Sequence, residues 1–584
     1  MKDILLLKNC RWLMVFSLLM CYVITLTGNL IGTWTDPFLS FLLPIFDCYL
    51  LCVLAGVLKK VKLGWLVIIL VIAVLFTELF TVFFYHSNFT VYVILLILET
   101  NKSESTEFIQ AALTHQGTWY AIAITVLTGI VSYYLSRNHR DRFLSWSGIK
   151  PPFPTILRFV AYALIVWSGI RQASAYYKLF RCFTSASTTV CNDVHYIPHL
   201  NTPFVRLAYG TAYNMASSAE MNILEKSVAA TEVDSCSYRS PLIVLVIGES
   251  YNKHHSPLYN ADYLPTTPLL QQQREQGNLI VCHDAVAPFN FTSKAFQYMF
   301  TTWDEERGDE WNRHSLFPAV FKKAGYCVDF LTNQFAMAQT EDMWDFTGAT
   351  IFNRHGLSDL QFTHRNPDIF ELDGELIEQL PPTDSLTARP TLLIVHLRGQ
   401  HVRYDNRYPK EFAKFTAKDE KTTFGGQTGR EMAAHYDNAT LYDDYVVNAV
   451  FDHVKDADAI GLFLSDHGEE VYDWRDTYER TNEQDITPEI AHYQYEIPML
   501  FYMTDTFKQR HPDVAEAVTT AADRPFISSD LCHVLFYLGG IGFKDYQEKR
   551  NMLSPHYDMN RKRIIDFEVD YDALMKGFSE RKTY

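Results

Sequence analysis

The sequence predicts an α-helical membrane domain with five spans, followed by a soluble α/β domain. Up to residue 174 the chain is apolar and basic, with 13 Lys and Arg residues against 8 Asp and Glu, whereas the remainder carries 38 against 59. Long apolar segments precede residue 174, and short apolar runs rich in Val, Ile and Leu follow residue 238. The acidic remainder argues against nucleic acid as a partner, because phosphate binding requires a basic face.

Five early segments are long and apolar enough to cross a bilayer, which takes about 20 residues in a helix. They cover residues 12–33, 38–58, 64–85, 118–136 and 153–172. Basic residues cluster at those span ends that share one side of the membrane: Lys2, Lys8, Arg11, Lys59, Lys60, Lys62, Arg137, Arg140, Arg142 and Lys150. Because Lys and Arg mark the cytoplasmic side, five spans place everything after residue 173 on the opposite side.

The outward loop at residues 86–117 contains the apolar stretch FTVYVILLIL followed by ETNKSESTEF. We expect it to lie as an interfacial helix against the outer leaflet. Two acids, Asp47 and Glu78, occur inside spans. An intramembrane acid either serves a proton path or substrate contact, or is a protonated or capping carboxyl that faces another helix. Both interpretations stay open at this stage.

Residues 174–238 are expected to form connecting helices between the membrane domain, 1–173, and the soluble domain, 239–584. Cys182 and Cys191 flank a Ser/Thr-rich stretch beyond the last span, and we expect them to form a disulfide, which persists outside the cytoplasm. The other cysteines beyond the membrane are expected to be free and buried: Cys236, Cys282, Cys327 and Cys532.

Three short apolar runs predict the core of the soluble domain. PLIVLVIG at 241–248, TLLIVHL at 391–397 and IGLFLSD at 460–466 are typical of buried strands in a parallel sheet. Weaker candidates lie at 326–333 and 497–504, and helical patterns lie between the runs. The domain is therefore predicted to be α/β, with its ligands at the carboxyl ends of the strands.

Acids and histidines follow each of these three strands: Glu249 and Ser250, then His396 and His401, then Asp466 and His467. Carboxylate and imidazole groups at one edge of a sheet are what a zinc site requires. A single Asp-His pair after a strand is more often a capping carboxylate beside a hydrogen-bonded histidine. Capping alone does not readily explain why three separate strands each carry acids or histidines to the same edge of the sheet.

The order of the motifs resembles that of the phosphoethanolamine transferases in the alkaline phosphatase and sulfatase superfamily. The motifs are IGES at 247–250, APFNFTSKAF at 287–296, HLRGQH at 396–401, YDNATLYDDY at 436–445 and SDHGEE at 465–470. FLTNQ at 330–334 and NMLSPHYD at 551–558 look closer to the branch that modifies lipopolysaccharide core sugars. A true sulfatase is excluded, because TSKAF lacks the Cys/Ser-x-Pro/Ala-x-Arg frame that formylglycine requires.

The resemblance implies a sulfatase-like, alkaline phosphatase type domain in the periplasm, anchored in the inner membrane. The implied reaction moves phosphoethanolamine from phosphatidylethanolamine to a lipopolysaccharide acceptor, either lipid A or a core sugar, through a threonine adduct. The resemblance implies that Zn²⁺ is held by Glu249, Thr292, Asp466 and His467. It implies Thr292 as the nucleophile, with Ser293 as its only local rival, and His401 as a phosphate-binding or general-acid residue. The implied substrate-binding residues are His492, Thr100 and Glu104.

Two other functions stay open from the sequence. A phosphoglycerol transferase of the lipoteichoic acid synthase type would share the spans, the outward domain and the threonine nucleophile, but would use phosphatidylglycerol. A membrane-tethered binding or sensing protein would have a purely structural metal site. The Thr292 hydroxyl argues against this second alternative, and the ETNKSE loop favours ethanolamine.

Overall fold

The computed structural model of the chain describes residues 10–31, 41–85, 116–138, 153–185, 188, 191, 202–303, 308–334, 350–480 and 486–578. The chain forms two compact units, Met1–Asn222 and Ile223–Tyr584. The domain boundaries at residues 173 and 238 stay predictions. The loop at 86–115, with Thr100 and Glu104, lies outside the described residues.

Helices make up the described part of the first unit: α1 (Arg11–Ile31), α2 (Pro44–Leu58), α3 (Gly64–Tyr85), α4 (Gln116–Asn138), α5 (Phe153–Thr184) and the start of α6 (Pro203–Ala229). A helix therefore occupies each expected span. Three stretches within the described residues are long and apolar enough to cross a membrane: Arg11–Gly28, Gly64–Phe83 and Gln116–Ser136. Helix α2 has only 15 residues, and α5 carries Arg158 and Arg171, so a count of five spans stays a prediction.

Both acids within the predicted spans face other helices. Glu78 on α3 accepts a 2.6 Å hydrogen bond from Nε of Arg206 on α6. Asp47 on α2 accepts hydrogen bonds from the Tyr176 hydroxyl and from Gln172, both on α5. These contacts favour the interpretation of Asp47 and Glu78 as groups that hold helices together.

A disulfide joins Cys182 to Cys191, as predicted. The remaining cysteines beyond the predicted spans are free, and Cys282, Cys327 and Cys532 are buried, whereas Cys236 is half-buried. The expectation of burial is therefore wrong for Cys236, because it lies on a short strand at the surface.

The strands of the second unit are β1 (Ser235–Cys236), β2 (Leu242–Gly248), β3 (Leu279–Cys282), β4 (Ala285–Val286), β5 (Cys327–Thr332), β6 (His364–Arg365), β7 (Thr391–His396), β8 (Ala459–Ser465), β9 (Met499–Met503), β10 (Phe526–Ile527), β11 (Ile541–Gly542), β12 (Ile564–Ile565) and β13 (Val569–Asp570). Within the described residues, seven of them form one sheet in the order β3-β9-β8-β2-β7-β5-β6. The three strongly predicted strands, β2, β7 and β8, are adjacent and parallel at its centre. Strand β9 instead runs antiparallel to both β8 and β3.

The α-helices of the second unit that follow α6 are α7 (Pro268–Glu275), α8 (Thr292–Phe300), α9 (Phe317–Lys323), α10 (Thr350–Asn353), α11 (His355–Gln361), α12 (Thr383–Thr387), α13 (Gly426–His453), α14 (Pro488–Gln494), α15 (Asp505–Arg510), α16 (Pro512–Ala521), α17 (Leu531–Gly539) and α18 (Tyr571–Leu574). Helix α13 packs Val446, Val450 and nearby residues into one core with Val244 and Val246 of β2. The spacing of four between Val446 and Val450 keeps both on one face of the helix.

The strand register brings the predicted site residues to one edge of the sheet. Ile247 of β2 lies beside His396 of β7, and Gly248 lies beside Ser465 of β8. The residues that follow these strands therefore emerge together at the carboxyl edge. This is where parallel sheets carry their ligands.

Candidate active site

Four predicted residues meet at this edge. Nε2 of His467 lies 3.3 Å from Oε1 of Glu249 and 3.2 Å from Oδ2 of Asp466. The Thr292 hydroxyl donates a 3.0 Å hydrogen bond to Oε2 of Glu249 and lies 3.4 Å from Nε2 of His467. The side chains of Glu249, Asp466 and His467 are fully buried. We call these three residues and Thr292 the metal group.

Ser250 fixes the orientation of the two carboxylates. Its φ of 59° lies in the left-handed region, which non-glycine residues adopt rarely and often at functional sites. In this conformation its N–H donates to Oδ1 of Asp466 at 3.2 Å, and its hydroxyl donates to Oε1 of Glu249 at 2.8 Å.

Two glycines in the motifs allow close approach of backbone segments. A Cβ at Gly399, whose φ is 49°, would lie 2.7 Å from the carbonyl oxygen of Glu249. A Cβ at Gly468 would lie 2.3 Å from the carbonyl oxygen of Tyr493. Side chains at either position would push these loops away from the metal group.

Gln334 follows β5 and reaches the same edge. Its Nε2 donates to Oε2 of Glu249 at 3.1 Å and to the carbonyl oxygen of Leu397 at 2.7 Å, and lies 3.2 Å from Nε2 of His396. Burial lowers the pKa of His396 to about 4, so this imidazole is neutral and accepts from the Gln334 amide. His396 contacts Gln334, and among the described residues it is not grouped with Glu249, Asp466 and His467 as a side chain close enough to share a metal with them.

Arg480 supplies the positive charge nearest to the metal group among the described ion pairs. Its Nη1 lies 3.6 Å from Oε1 of Glu249 and donates to Oε2 of Glu469 at 3.3 Å. It also contacts the Ser250 hydroxyl, and 18% of its side chain is exposed. A partly exposed guanidinium beside the metal group is suited to bind phosphate oxygens.

The donor set of the metal group fits zinc. Oδ2 of Asp466 is buried and accepts no hydrogen bond from the part of the chain that the structure describes. Burial and the neighbouring Glu249 raise the pKa of Asp466 well above its usual range, and burial with Arg480 lowers the pKa of His467. A bound divalent cation would stabilise the buried carboxylate in its charged form. It also binds imidazole in the neutral form, which the lowered pKa of His467 favours. Both pKa shifts are therefore consistent with a metal at this position. Glu249, Asp466 and His467 are therefore a group that could hold a metal.

The other predicted residues have different surroundings. His401 follows Gln400, whose N–H donates to the carbonyl oxygen of Glu249 at 3.1 Å, so its backbone adjoins the metal group. Nδ1 of His492 lies 2.9 Å from Glu496, and its ring stacks on His254 at 3.8 Å between centroids. None of these contacts joins His492 to Glu249, Thr292, Asp466 or His467, and a substrate-binding role for His492 stays a prediction.

Two contributors to the site were not predicted from the sequence. Gln334 directly follows a predicted strand, and the rule that ligands gather at strand ends could have identified it. Arg480 lies in an irregular segment after SDHGEE, where no periodic pattern marks it.

Comparison with known proteins identifies the family. The sulfatase family model matches residues 241–541, which is more than half of the chain. The chain belongs to the sulfatase family. Among curated relatives, this sulfatase-family chain is 25% identical over 511 residues to the phosphoethanolamine transferase EptC of Escherichia coli K12, covering 84% of the chain and 83% of EptC. It is also 25% identical to the Kdo(2)-lipid A phosphoethanolamine 7''-transferase of the same strain, over 73% of each protein.

Solved structures agree with the fold and with the metal. The C-terminal periplasmic domain of Escherichia coli EptC in complex with Zn is 28% identical, with a TM-score of 0.50, over 59% of this chain and 96% of that domain. The integral membrane protein lipooligosaccharide phosphoethanolamine transferase A (EptA) of Neisseria meningitidis is 18% identical, with a TM-score of 0.51, over 94% of this chain and 98% of EptA. The second match shows that the helical membrane region and the sulfatase-like domain form a known combination.

Proposed function

We propose that this sulfatase-family protein transfers phosphoethanolamine from phosphatidylethanolamine to a lipopolysaccharide acceptor through a covalent adduct on Thr292. The observation that carries the proposal is the Thr292 hydroxyl within 3.0 Å of Glu249 and 3.4 Å of His467, in a group that could hold a metal. The similarity to phosphoethanolamine transferase EptC over 84% of the chain supports the transferred group, and the similarity to the Kdo(2)-lipid A phosphoethanolamine 7''-transferase over 73% supports the acceptor class.

The reaction consists of two displacements at phosphorus. In the first, the Thr292 oxygen forms a bond to phosphorus, the bond from phosphorus to the diacylglycerol oxygen breaks, and diacylglycerol leaves with a proton. In the second, an acceptor hydroxyl or phosphate oxygen attacks the same phosphorus, and Thr292 recovers its proton. Because the phosphoethanolamine group stays on Thr292 between the two steps, the donor and the acceptor need not occupy the site at the same time.

Thr292 is held where such an attack is feasible. It opens helix α8, whose first N–H groups and dipole favour an anion at that end. Glu249 accepts a hydrogen bond from the Thr292 hydroxyl, and Arg480 carries the positive charge that would bind a phosphate oxygen. His401 is proposed to hold or protonate the leaving oxygen.

Zinc is proposed as the resident metal, held by Glu249, Thr292, Asp466 and His467. Bound Zn²⁺ would supply the charge that favours the alkoxide form of Thr292. The two carboxylates balance that charge, and the imidazole contributes the nitrogen ligand that is common in zinc sites.

The location follows from the same proposal. Several spans anchor the chain in the inner membrane, and the catalytic unit lies in the periplasm, where donor lipid and lipopolysaccharide meet. Thr100 and Glu104 are proposed to contact the donor head group from the membrane side. A core sugar or a lipid A phosphate would both serve as acceptor.

A comparison of donor lipids tests the proposal. Purified full-length protein is incubated with phosphatidylethanolamine or phosphatidylglycerol of matched acyl chains, and diacylglycerol release is measured. We expect release from phosphatidylethanolamine that Thr292→Ala abolishes, with Ser293→Ala as the matched control. Preference for phosphatidylglycerol would instead indicate the lipoteichoic acid synthase type, and no release from either lipid would indicate a binding protein.

A further inference from the structure

A second group of metal-binding side chains lies at the opposite edge of the sheet. Cys327 and Asp329 are two residues apart on β5, so their side chains share one face of the sheet. The β5/β6 register places Asp329 beside His364. Cys327 pairs with Thr391 at the start of β7, whereas Thr332 pairs with His396 at its end. The group therefore lies at the amino ends of the strands.

The distances within this group suit a small metal centre. Sγ of Cys327 lies 3.2 Å from Oδ1 of Asp329 and 3.8 Å from Nδ1 of His364. Nδ1 of His364 lies 2.7 Å from the same Asp329 oxygen. Ligand atoms of a tetrahedral zinc centre are separated by about 3.3 to 3.5 Å, from its bond lengths of about 2.0 to 2.3 Å. The His364 imidazole would need to withdraw from Asp329 by only about half an ångström.

We propose that Cys327, Asp329 and His364 form a second Zn²⁺ site, with water as the fourth ligand. The Cys327 thiol releases its proton to solvent when its sulfur binds the metal. His364 binds through Nδ1 as the neutral imidazole and carries its proton on Nε2. Thiolate, imidazole and carboxylate are the ligand types that zinc selects.

The charges around the group are compatible with the metal. One thiolate and one carboxylate neutralise Zn²⁺, so the loaded site is neutral overall, whereas the metal-free site carries the single negative charge of Asp329. Arg389 donates from Nη2 to Sγ of Cys327 at 3.0 Å, which favours the thiolate. Lys322 is held by the carbonyl oxygens of Asp359 and Phe362.

Access to the site is open from one side. Cys327 and Asp329 are buried, but 64% of the His364 side chain is exposed, and Arg389, which contacts Cys327, is exposed as well. The metal can therefore enter from solvent beside His364. The five residue steps of β5 separate this site from the catalytic edge by about 17 Å, so its metal would not take part in the transfer reaction.

Co²⁺ tests the proposal, because a cobalt-thiolate bond gives a charge-transfer band in the near ultraviolet and the metal group contains no cysteine. Co²⁺ is added to the full-length protein with its catalytic zinc retained. We expect a band that saturates at one Co²⁺ per chain and disappears on addition of Zn²⁺. Absence of this band would overturn the proposal.

Variants of the proposed ligands test which side chains give rise to the cobalt band. Cys327→Ser should abolish it, whereas Cys236→Ser, at another free cysteine, should leave it unchanged. His364→Gln should weaken Co²⁺ binding at least tenfold, and diacylglycerol release should stay within twofold of the wild type in all three variants. A band that persists in Cys327→Ser overturns the site. If that variant does not fold, unchanged affinity in His364→Gln, at an exposed side chain, overturns it.

Discussion

The hydroxyl of Thr292, the first residue of α8, donates a 3.0 Å hydrogen bond to the carboxylate of Glu249, the residue that follows β2. Helix and strand thus hold the proposed nucleophile against a buried acid before any substrate binds. Such preorganisation would reduce the entropy cost of the proposed first displacement.

Replacement of Thr292 should abolish the covalent adduct. With phosphatidylethanolamine and no acceptor, the wild type should gain the mass of one phosphoethanolamine group on the peptide that contains Thr292. Mass spectrometry of Thr292→Ala should show none, whereas Ser293→Ala should label normally, because its hydroxyl is not the one that contacts Glu249. An unchanged label in Thr292→Ala would assign the nucleophile elsewhere.

Removal of Asp466 should remove the catalytic zinc. Asp466→Ala loses a buried oxygen ligand, so we expect one zinc fewer per chain by elemental analysis and no transfer activity. Asp458→Ala is the control, because this carboxylate lies at the other end of β8 and pairs with Arg510. Equal zinc content in Asp466→Ala and wild type would contradict the ligand assignment.

Arg480 is expected to act on phosphate rather than on the metal. A hydrogen bond to a charged group contributes about 1.5 to 3 kcal/mol, so Arg480→Gln should reduce the rate of transfer by about tenfold to a hundredfold. Its zinc content should match the wild type. Arg475→Gln, which breaks a pair with Glu470 in the same segment, should cost less activity. A parallel loss of zinc in Arg480→Gln would show that Arg480 only supports the metal group.

His396 should make the stability of the second unit, Ile223–Tyr584, sensitive to acid. Because burial lowers its folded pKa to about 4, the unfolded chain binds a proton first as the pH falls through about 6.5, and stability is lost between these values. The loss from pH 7 to pH 5 is about 2 kcal/mol. His396→Gln should therefore show a smaller fall in thermal midpoint over this range. An identical fall in both proteins would show that His396 is protonated in the folded state.

Glu104 tests the membrane-side contact to the donor. Its carboxylate is expected to attract the ethanolamine ammonium, and removal of one such contact costs about 1.5 to 3 kcal/mol. Glu104→Gln should therefore reduce turnover of phosphatidylethanolamine about tenfold to a hundredfold. Zinc content and hydrolysis of a small soluble phosphodiester should stay near wild type. Equal losses on both substrates would show a structural role for the loop.

Strand-end chemistry made much of the site predictable. Buried parallel strands are continuous apolar runs, so β2, β7 and β8 were predictable, and Glu249, Asp466 and His467 were among the acids and histidines expected at their ends. The choice of these three as metal ligands, together with Thr292, came from the resemblance to the phosphoethanolamine transferases. The antiparallel direction of β9 was not predictable, because an apolar run carries no information about its direction. Arg480 was missed for a related reason: its position depends on loop contacts with Ser250 and Glu469 that no local pattern encodes.

The strand order also has a consequence for biosynthesis. Strand β2 lies at the centre of the sheet, yet its neighbours β7 and β8 begin at Thr391 and Ala459, long after Leu242. While the chain is synthesised, this central strand therefore stays unpaired until its two partners have emerged. Distant pairings of this kind slow folding and expose nascent chains to aggregation. We therefore expect the second unit to depend on chaperones during its synthesis more than its final stability would suggest.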